Sequence, residues 1–256
     1  MKQQVRKLEE LFGSLIRKEK ITFSWSDEHN RKKNILVFED KKIVLHTVNN
    51  LSSIERNLSY MDLLASKGLI PEIYILDNNS FATNYVEGRI ISSKSDASID
   101  DIANLQRQIH HQVPFAESFW NEYFNQVLYS LKQKGVSYIE NLPELYYSSF
   151  ALTHGDFGLG NLVETEKGLC AIDLEYFREG PVVFDVIRPI LRICSGEDEE
   201  NRYLTTYGKG SNIFSREEIN SGKIAFYVMQ IYNRINKGFV EEAKSSISNL
   251  KTIMGD

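Results

Sequence analysis

Asp156, Asn161 and Asp173 stand at spacings that suit the transfer of a phosphoryl group. They lie in a segment that reads Leu152-Thr153-His154-Gly155-Asp156-Phe157-Gly158-Leu159-Gly160-Asn161-Leu162-Val163. After a charged turn at 164–168 it continues Leu169-Cys170-Ala171-Ile172-Asp173-Leu174-Glu175. Phosphoryl transfer needs an acceptor hydroxyl held in line with the phosphorus, and divalent metal to neutralise the phosphate oxygens. A carboxylate at Asp156 meets the first need, since it accepts the hydroxyl proton and orients the nucleophile. Asn161 and Asp173 meet the second, because amide and carboxylate oxygens are hard ligands for Mg2+. Glycines between Asp156 and Asn161 let the backbone turn so that both side chains face one point. The runs Leu162-Val163 and 169–172 are expected to pair as a hairpin that returns Asp173 to Asn161. Turn chemistry explains an isolated Asp or Asn, but not the whole ordered set.

The elements that must position these residues follow from periodicity. Val5, Leu8, Leu11, Phe12, Leu15 and Ile16 recur at helical spacing and predict an opening amphipathic helix. Short β-rich runs follow at 21–25, 35–38 and 42–48, with polar breakers at 27–33 and 39–41, as in an antiparallel meander. From Leu51 the helical period returns through Ile54, Leu58, Met61, Leu63 and Leu64, with Gly68 as the stop. Strands are expected at 72–76 and 81–86 around the turn Asp77-Asn78-Asn79-Ser80. Gly88 and the polar stretch 92–98 form a connector. Beyond it, apolar stripes predict helices at 102–111, 119–131, 184–193, 219–235 and 239–253, interrupted by the β-rich island 151–174. The plan is α+β, with a small antiparallel-sheet lobe at 1–88 and a larger, mostly helical lobe at 89–256. An active site between the lobes is the default expectation.

Bulk properties narrow the classes. The 256 residues are 42% apolar and 25% charged, ordinary for a globular chain with a sizeable core. A net charge of −5 speaks against a nucleic-acid partner bound through a basic face. Two cysteines, Cys170 and Cys194, make neither a disulfide framework nor a zinc set. The first residues lack the apolar core of a signal peptide, and no apolar run reaches membrane-spanning length. A cytoplasmic protein without membrane or nucleic-acid partners is expected.

The ordered set His154-Gly155-Asp156, Asn161, and Ile172-Asp173-Leu174-Glu175 resembles the catalytic signature of the aminoglycoside-phosphotransferase family. That family includes choline, thiamine and homoserine kinases and is distantly related to protein kinases. The resemblance implies a two-lobed protein-kinase-like fold, with ATP and Mg2+ as cofactors. It makes Asp156 the catalytic base, Asn161 and Asp173 the metal ligands, and His154 an anchor of the loop. Gly180-Pro181-Val182-Val183-Phe184-Asp185 resembles the family's turn into the next helix, where Asp185 would hold that loop by backbone hydrogen bonds. In the first lobe, Asn84, Tyr85 and Val86 would receive the adenine. Glu55 would be the helix glutamate that pairs with a phosphate-binding lysine, or else an ordinary exposed charge.

The pattern departs at one point. The strand position that resembles the family's phosphate-gripping lysine holds His46. A protonated imidazole could stand in for the lysine; otherwise Lys41 or Lys42 substitutes, the strand register differs, nucleotide binding is weakened, or His46 is a strand residue with no ligand. No glycine-rich loop joins the first strands, and Arg31-Lys32-Lys33 reads as a solvated hairpin tip rather than a phosphate contact. His110 and His111 are structural, since neighbours on a helix point apart. The acidic run 196–200 reads as an exposed loop starting a helix whose dipole favours acids, in preference to a receptor for an ammonium group.

These readings converge on an ATP-dependent O-phosphotransferase that phosphorylates a hydroxyl of a small molecule: an aminoglycoside-like antibiotic, an amino alcohol or a sugar metabolite. The alternative is a catalytically impaired, kinase-like nucleotide-binding or regulatory protein, suggested by His46. Protein-kinase activity is disfavoured, because Asp173 runs almost directly into Gly180-Pro181 with no activation segment.

Overall fold

Gly13 decides where the first helix stops. In the computed structural model, which describes residues 2–23, 31–48, 51–112, 114–115, 119–211 and 213–255, helix α1 (Lys2–Phe12) buries Leu8 and Phe12. Gly13 then takes a left-handed φ of 77°, a conformation in which an added Cβ would lie 2.7 Å from Glu39 Oε2. Leu15 and Ile16, expected in the helix, therefore belong to strand β1 (Leu15–Phe23). The helical spacing of their apolar side chains is coincidental, and Ile16 is 62% exposed.

Strands β2 (Arg31–Phe38) and β3 (Lys42–Thr47) follow. Residues 31–33 thus open β2, with Lys33 opposite Ile21, instead of forming a tip. The rest of the expected turn, at 24–30, lies outside the described residues. Helix α2 (Ser52–Ser66) buries Ile54, Asn57, Met61 and Leu64, while Leu63 faces outward at 41% exposure. It ends as expected at Gly68, whose φ of 72° lets the Gly68 amide reach Ala65 O (2.9 Å) and the Leu69 amide reach Leu64 O (3.1 Å). Strands β4 (Ile73–Asp77) and β5 (Ser80–Asn84) complete an antiparallel sheet in the order β1-β2-β3-β5-β4. Leu8 and Phe12 pack on one face of it with Leu36, Phe38, Ile43, Leu45, Leu76 and Ala82. Burial of Leu8 and Phe12 contributes about 1.5–3 kcal/mol each. Strand β6 (Arg89–Ile90) leads out.

The chain divides into two compact units: Met1–Ser92 with Gly160–Phe177, and Ser93–Leu159 with Arg178–Asp256. The second unit begins with α3 (Ile99–Gln112), β7 (Pro114–Phe115), α4 (Trp120–Gln133) and β8 (Phe150–Thr153). Strands β9 (Leu162–Thr165) and β10 (Gly168–Ala171) form the expected hairpin, with Val163 opposite Cys170. They group with the first unit because β6 pairs with β9 and the Ala171 amide bonds Leu69 O at 2.9 Å. Gly88, at φ 152°, permits this approach, since an added Cβ would sit 2.2 Å from Glu164 O. Burial pushes the Cys170 thiol up to about 12, which leaves it an unreactive small hydrophobe.

Strand β11 (Arg178–Pro181) pairs with β8 and hands over to α5 (Val182–Ile193), which is buried along almost its whole length. Helices α6 (Glu197–Tyr207), α7 (Arg216–Asn236) and α8 (Val240–Met254) complete the second unit. The acidic run starts a helix, as expected, but as its first turn and not as a loop ahead of it. Four acids there meet the positive end of the helix dipole, and Tyr203 and Tyr207, four residues apart, are both buried. Among the described residues no helix is long and apolar enough to cross a membrane.

Candidate active site

The segment after β8 is tied down before it presents anything. Asp185, fully buried in the first turn of α5, accepts hydrogen bonds from the His154 amide (3.0 Å) and the Gly155 amide (2.9 Å). This is the role expected for it. The left-handed φ of 74° at Gly155 lets successive amides point at one carboxylate. His110, buried on α3, donates from Nε2 to Asp185 Oδ2 (3.0 Å), and its Nδ1 meets the Tyr207 hydroxyl at 2.7 Å. Gln106 donates to the Asp185 carbonyl at 2.9 Å and accepts from the Tyr203 hydroxyl at 2.8 Å. Burial alone would raise the pKa of Asp185. The hydrogen bonds from the His110 ring and the His154 amide outweigh it and hold the carboxyl below its usual value. His110 is structural, as expected, although what it holds is the loop.

His154 is fully buried; its ring stands edge-on to Phe157, and its Nδ1 accepts from the Asp156 amide at 3.2 Å. These contacts point Asp156 outward, with its side chain 24% exposed. Two guanidinium groups from α5 meet its Oδ1: Arg188 Nη1 at 2.5 Å and Arg192 Nη1 at 3.2 Å.

The other expected site residues lie in the first unit. Asn161 ends a short 3-10 turn (Leu159–Asn161) and is largely buried. Its carbonyl accepts from the Ile172 amide at 2.8 Å, which continues the β9–β10 ladder by one step. The hairpin thereby returns Asp173 to the neighbourhood of Asn161, as its spacing implied. Asp173 adopts a left-handed backbone (φ 67°, ψ 59°). Such a conformation costs a residue with a Cβ roughly 1–3 kcal/mol and is concentrated at functional sites.

No cluster of three or more His, Cys, Asp or Glu forms a metal cage among the described residues. An amide oxygen and a carboxylate nonetheless fit Mg2+, which keeps several waters and takes further ligands from bound phosphate.

His46 is buried in β3 on the sheet face opposite Ile43 and Leu45. Its ring stacks on Phe81 at 4.4 Å and 5°, and Nε2 lies 3.1 Å from Thr83 Oγ1. On the same strand Lys42 pairs with Glu87 at 2.8 Å, and just before it Lys41 pairs with Glu72 at 3.1 Å. Glu55 is exposed in the first turn of α2. At the end of β5, the Asn84 amide donates to Glu72 O (3.1 Å) and its side chain to Glu72 Oε2 (2.7 Å). The Tyr85 amide is taken by Lys42 O (2.9 Å), and Val86 follows it.

Arg188 and Arg192 are functional candidates that the sequence pattern alone does not single out. Their signal is visible in hindsight: two basic residues four apart share one face of an otherwise nearly all-apolar helix.

No protein-family model and no curated protein matches the chain. Solved structures do. Choline kinase LicA from Streptococcus pneumoniae superposes with a TM-score of 0.66 at 17% identity, covering 96% of this chain and 97% of its own. The same enzyme solved with AMP gives 0.63 at 16% identity, covering 97% of each chain. A choline/ethanolamine kinase family protein from Mesorhizobium loti gives 0.64 at 14% identity, over 99% and 95%. Aminoglycoside phosphotransferase APH(4)-Ia gives 0.60 at 14%, over 99% and 98%. With a five-stranded antiparallel sheet ahead of a mostly helical remainder, this chain has the protein-kinase-like fold of the choline kinase and aminoglycoside phosphotransferase structures.

Proposed function

We propose that the chain is an ATP-dependent O-phosphotransferase acting on a hydroxyl group of a small molecule. The observation that carries this reading is the 154–158 loop, pinned through two backbone amides to a buried carboxylate and offering the partly exposed Asp156. Asp156 orients the acceptor hydroxyl and takes its proton as the new oxygen–phosphorus bond forms. The bond from the γ-phosphorus to its bridging oxygen breaks in the same step, and ADP leaves with that electron pair. Asn161 and Asp173 would hold Mg2+, which neutralises phosphate oxygens when bound. Backbone groups near Asn84 to Val86 would receive the adenine, although the Asn84 and Tyr85 amides are given to Glu72 O and Lys42 O; LicA, solved with AMP, supports nucleotide use. His46 and Glu55 are the remaining candidates on the nucleotide side.

The test is release of ADP from Mg-ATP by the full chain with choline, ethanolamine, aminoglycosides and sugars as acceptors, compared with Asp156→Asn. Asparagine keeps an oxygen for Arg188 and Arg192 while losing the proton acceptor. Turnover that survives in the variant sinks the assignment of Asp156.

A second reading, a nucleotide-binding protein without catalysis, draws on the buried His46 and on Lys42 being paired with Glu87. Stabilisation by Mg-ATP with no ADP release under any acceptor would favour it.

A further inference from the structure

The carboxylate assigned to the acceptor hydroxyl is outnumbered by cations. Arg188 and Arg192 both reach Asp156 Oδ1, and both guanidinium groups lie over the Phe226 ring, at 5.6 and 5.9 Å. Arg234 adds a third positive charge near Arg192, and its own bonds run to neutral oxygens, the Glu242 carbonyl (2.6 Å) and the Ser246 hydroxyl (2.5 Å). Partial burial first, then the Arg188 charge, hold Arg192 below its ordinary value despite Asp156. The Arg188 side chain is only 9% exposed, and its Nε is buried without a hydrogen-bond partner. A buried donor left unsatisfied costs about 1–3 kcal/mol and calls for an explanation.

Loop anchoring does not supply one, since Asp185 already holds 154–155. Nor do Glu199 and Glu200 offer a seat for an ammonium group. Glu199 is occupied by Lys94 and the Ser195 amide, and Glu200 by Lys223.

Resting on the phosphotransferase reading above, we infer that Arg188 and Arg192 receive an oxyanion carried by the phosphate acceptor, so that the acceptor is a hydroxylated carboxylate or phosphate ester and not an amine. Guanidinium groups suit this role because their donors match the paired oxygens of a carboxylate or phosphate. An acceptor bound this way sets its anionic group beside Asp156, with the hydroxyl a few bonds away on the carboxylate itself. A cationic acceptor would meet like charge there.

A matched set of acceptors tests the inference: glycerate, glycerol phosphate, glycerol and 3-amino-1,2-propanediol, each with Mg-ATP and the full chain. Glycerate or glycerol phosphate should show a kcat/KM at least about tenfold above the neutral and cationic compounds, since one charge-assisted contact is worth that much. The two anions separate a carboxylate site from a phosphate site. Arg192→Gln, at a partly exposed position, should raise KM for the anionic acceptor about tenfold while changing KM for glycerol less than about threefold. A preference for the amine overturns the inference. So does an Arg192→Gln loss of kcat that is equal for all four, which would assign the arginine to the transferred phosphoryl group.

If none of the four is consumed, sulfate decides. Sodium sulfate should raise the melting temperature over sodium chloride at equal ionic strength by more in the wild-type chain than in Arg192→Gln, since its general stabilising effect is common to both. An equal response in both proteins overturns the inference. Failure of the kinase reading shows separately, as no stabilisation by Mg-ATP, and the sulfate comparison still stands in that case.

Discussion

The loop around Asp156 and the strand around His46 hold their side chains by opposite means. In the loop, backbone amides bond a buried carboxylate from α5, so the backbone carries the order and Asp156 is left to face outward. In the strand, the pleat alone decides: Lys42, Val44 and His46 share one face, and the imidazole stays there against Phe81 and Thr83. A lysine at position 46 could extend its head past such neighbours while leaving its stem packed. A histidine is too short to do both. Backbone-anchored sites thus tolerate a chemical side chain at little cost to packing, whereas on a strand the same residue must either pack or reach.

Four experiments test that contrast. The largest effect is expected from Asp156→Asn, which should lower kcat by about 10²–10⁴-fold in an ADP-release assay, as for other positioned proton acceptors. Its melting temperature should stay close to that of the wild type. Next, Asp185→Ala leaves two loop amides and His110 without their shared partner. The denaturant midpoint should fall by an amount equivalent to about 3–5 kcal/mol, the usual cost of orphaning a buried charged network. A loss below about 1 kcal/mol would mean that Asp185 does not carry the loop.

His46→Ala addresses the other side. The stacking on Phe81 predicts a stability loss of roughly 1–3 kcal/mol, with KM for ATP changed less than about threefold. A tenfold rise in that KM would instead assign His46 to the phosphate grip.

The smallest effect is a titration. Glu72 accepts from the Tyr74 hydroxyl (2.6 Å), from Lys41 and from Asn84, and the Tyr74 bond leads in lowering its pKa to about 2. A folded value below the unfolded one means that its contribution is present above pH ~4.3 and lost as pH falls toward 2. Carboxyl NMR should place the Glu72 midpoint near 2 and move it up in Tyr74→Phe.

The contrast also marks what is legible in the sequence. The 152–173 segment and Asp185 can be read because their geometry is made by short spacings: a triplet, a turn, a two-strand hairpin. The strands around His46 and the stripe of α2 are largely readable for the same local reason. What escapes depends on partners distant in sequence or on a single backbone conformation. Leu15 and Ile16 fit a helical period, but a left-handed Gly13 has already ended the helix. The body of α6 beyond the acidic run escapes because the burial of Tyr203 and Tyr207, which holds that helix, is decided by contacts with α3. The arginines on α5 give little local signal because their partner, Asp156, lies more than thirty residues away.

The β9–β10 hairpin has a consequence for biosynthesis. The first unit is not a continuous stretch of chain: β6 waits for β9, and Leu69 waits for Ala171. The ribosome, adding roughly 5–20 residues per second, must therefore release the second unit's early helices before the first unit can close. Until then the edge of β6 and the carbonyl of Leu69 are open to wrong partners. A fragment cut after Ser92 lacks the hairpin altogether. It should express as an aggregating or partly ordered species, whereas fusing 160–177 to that fragment through a linker would let the sheet-rich half fold from contiguous sequence.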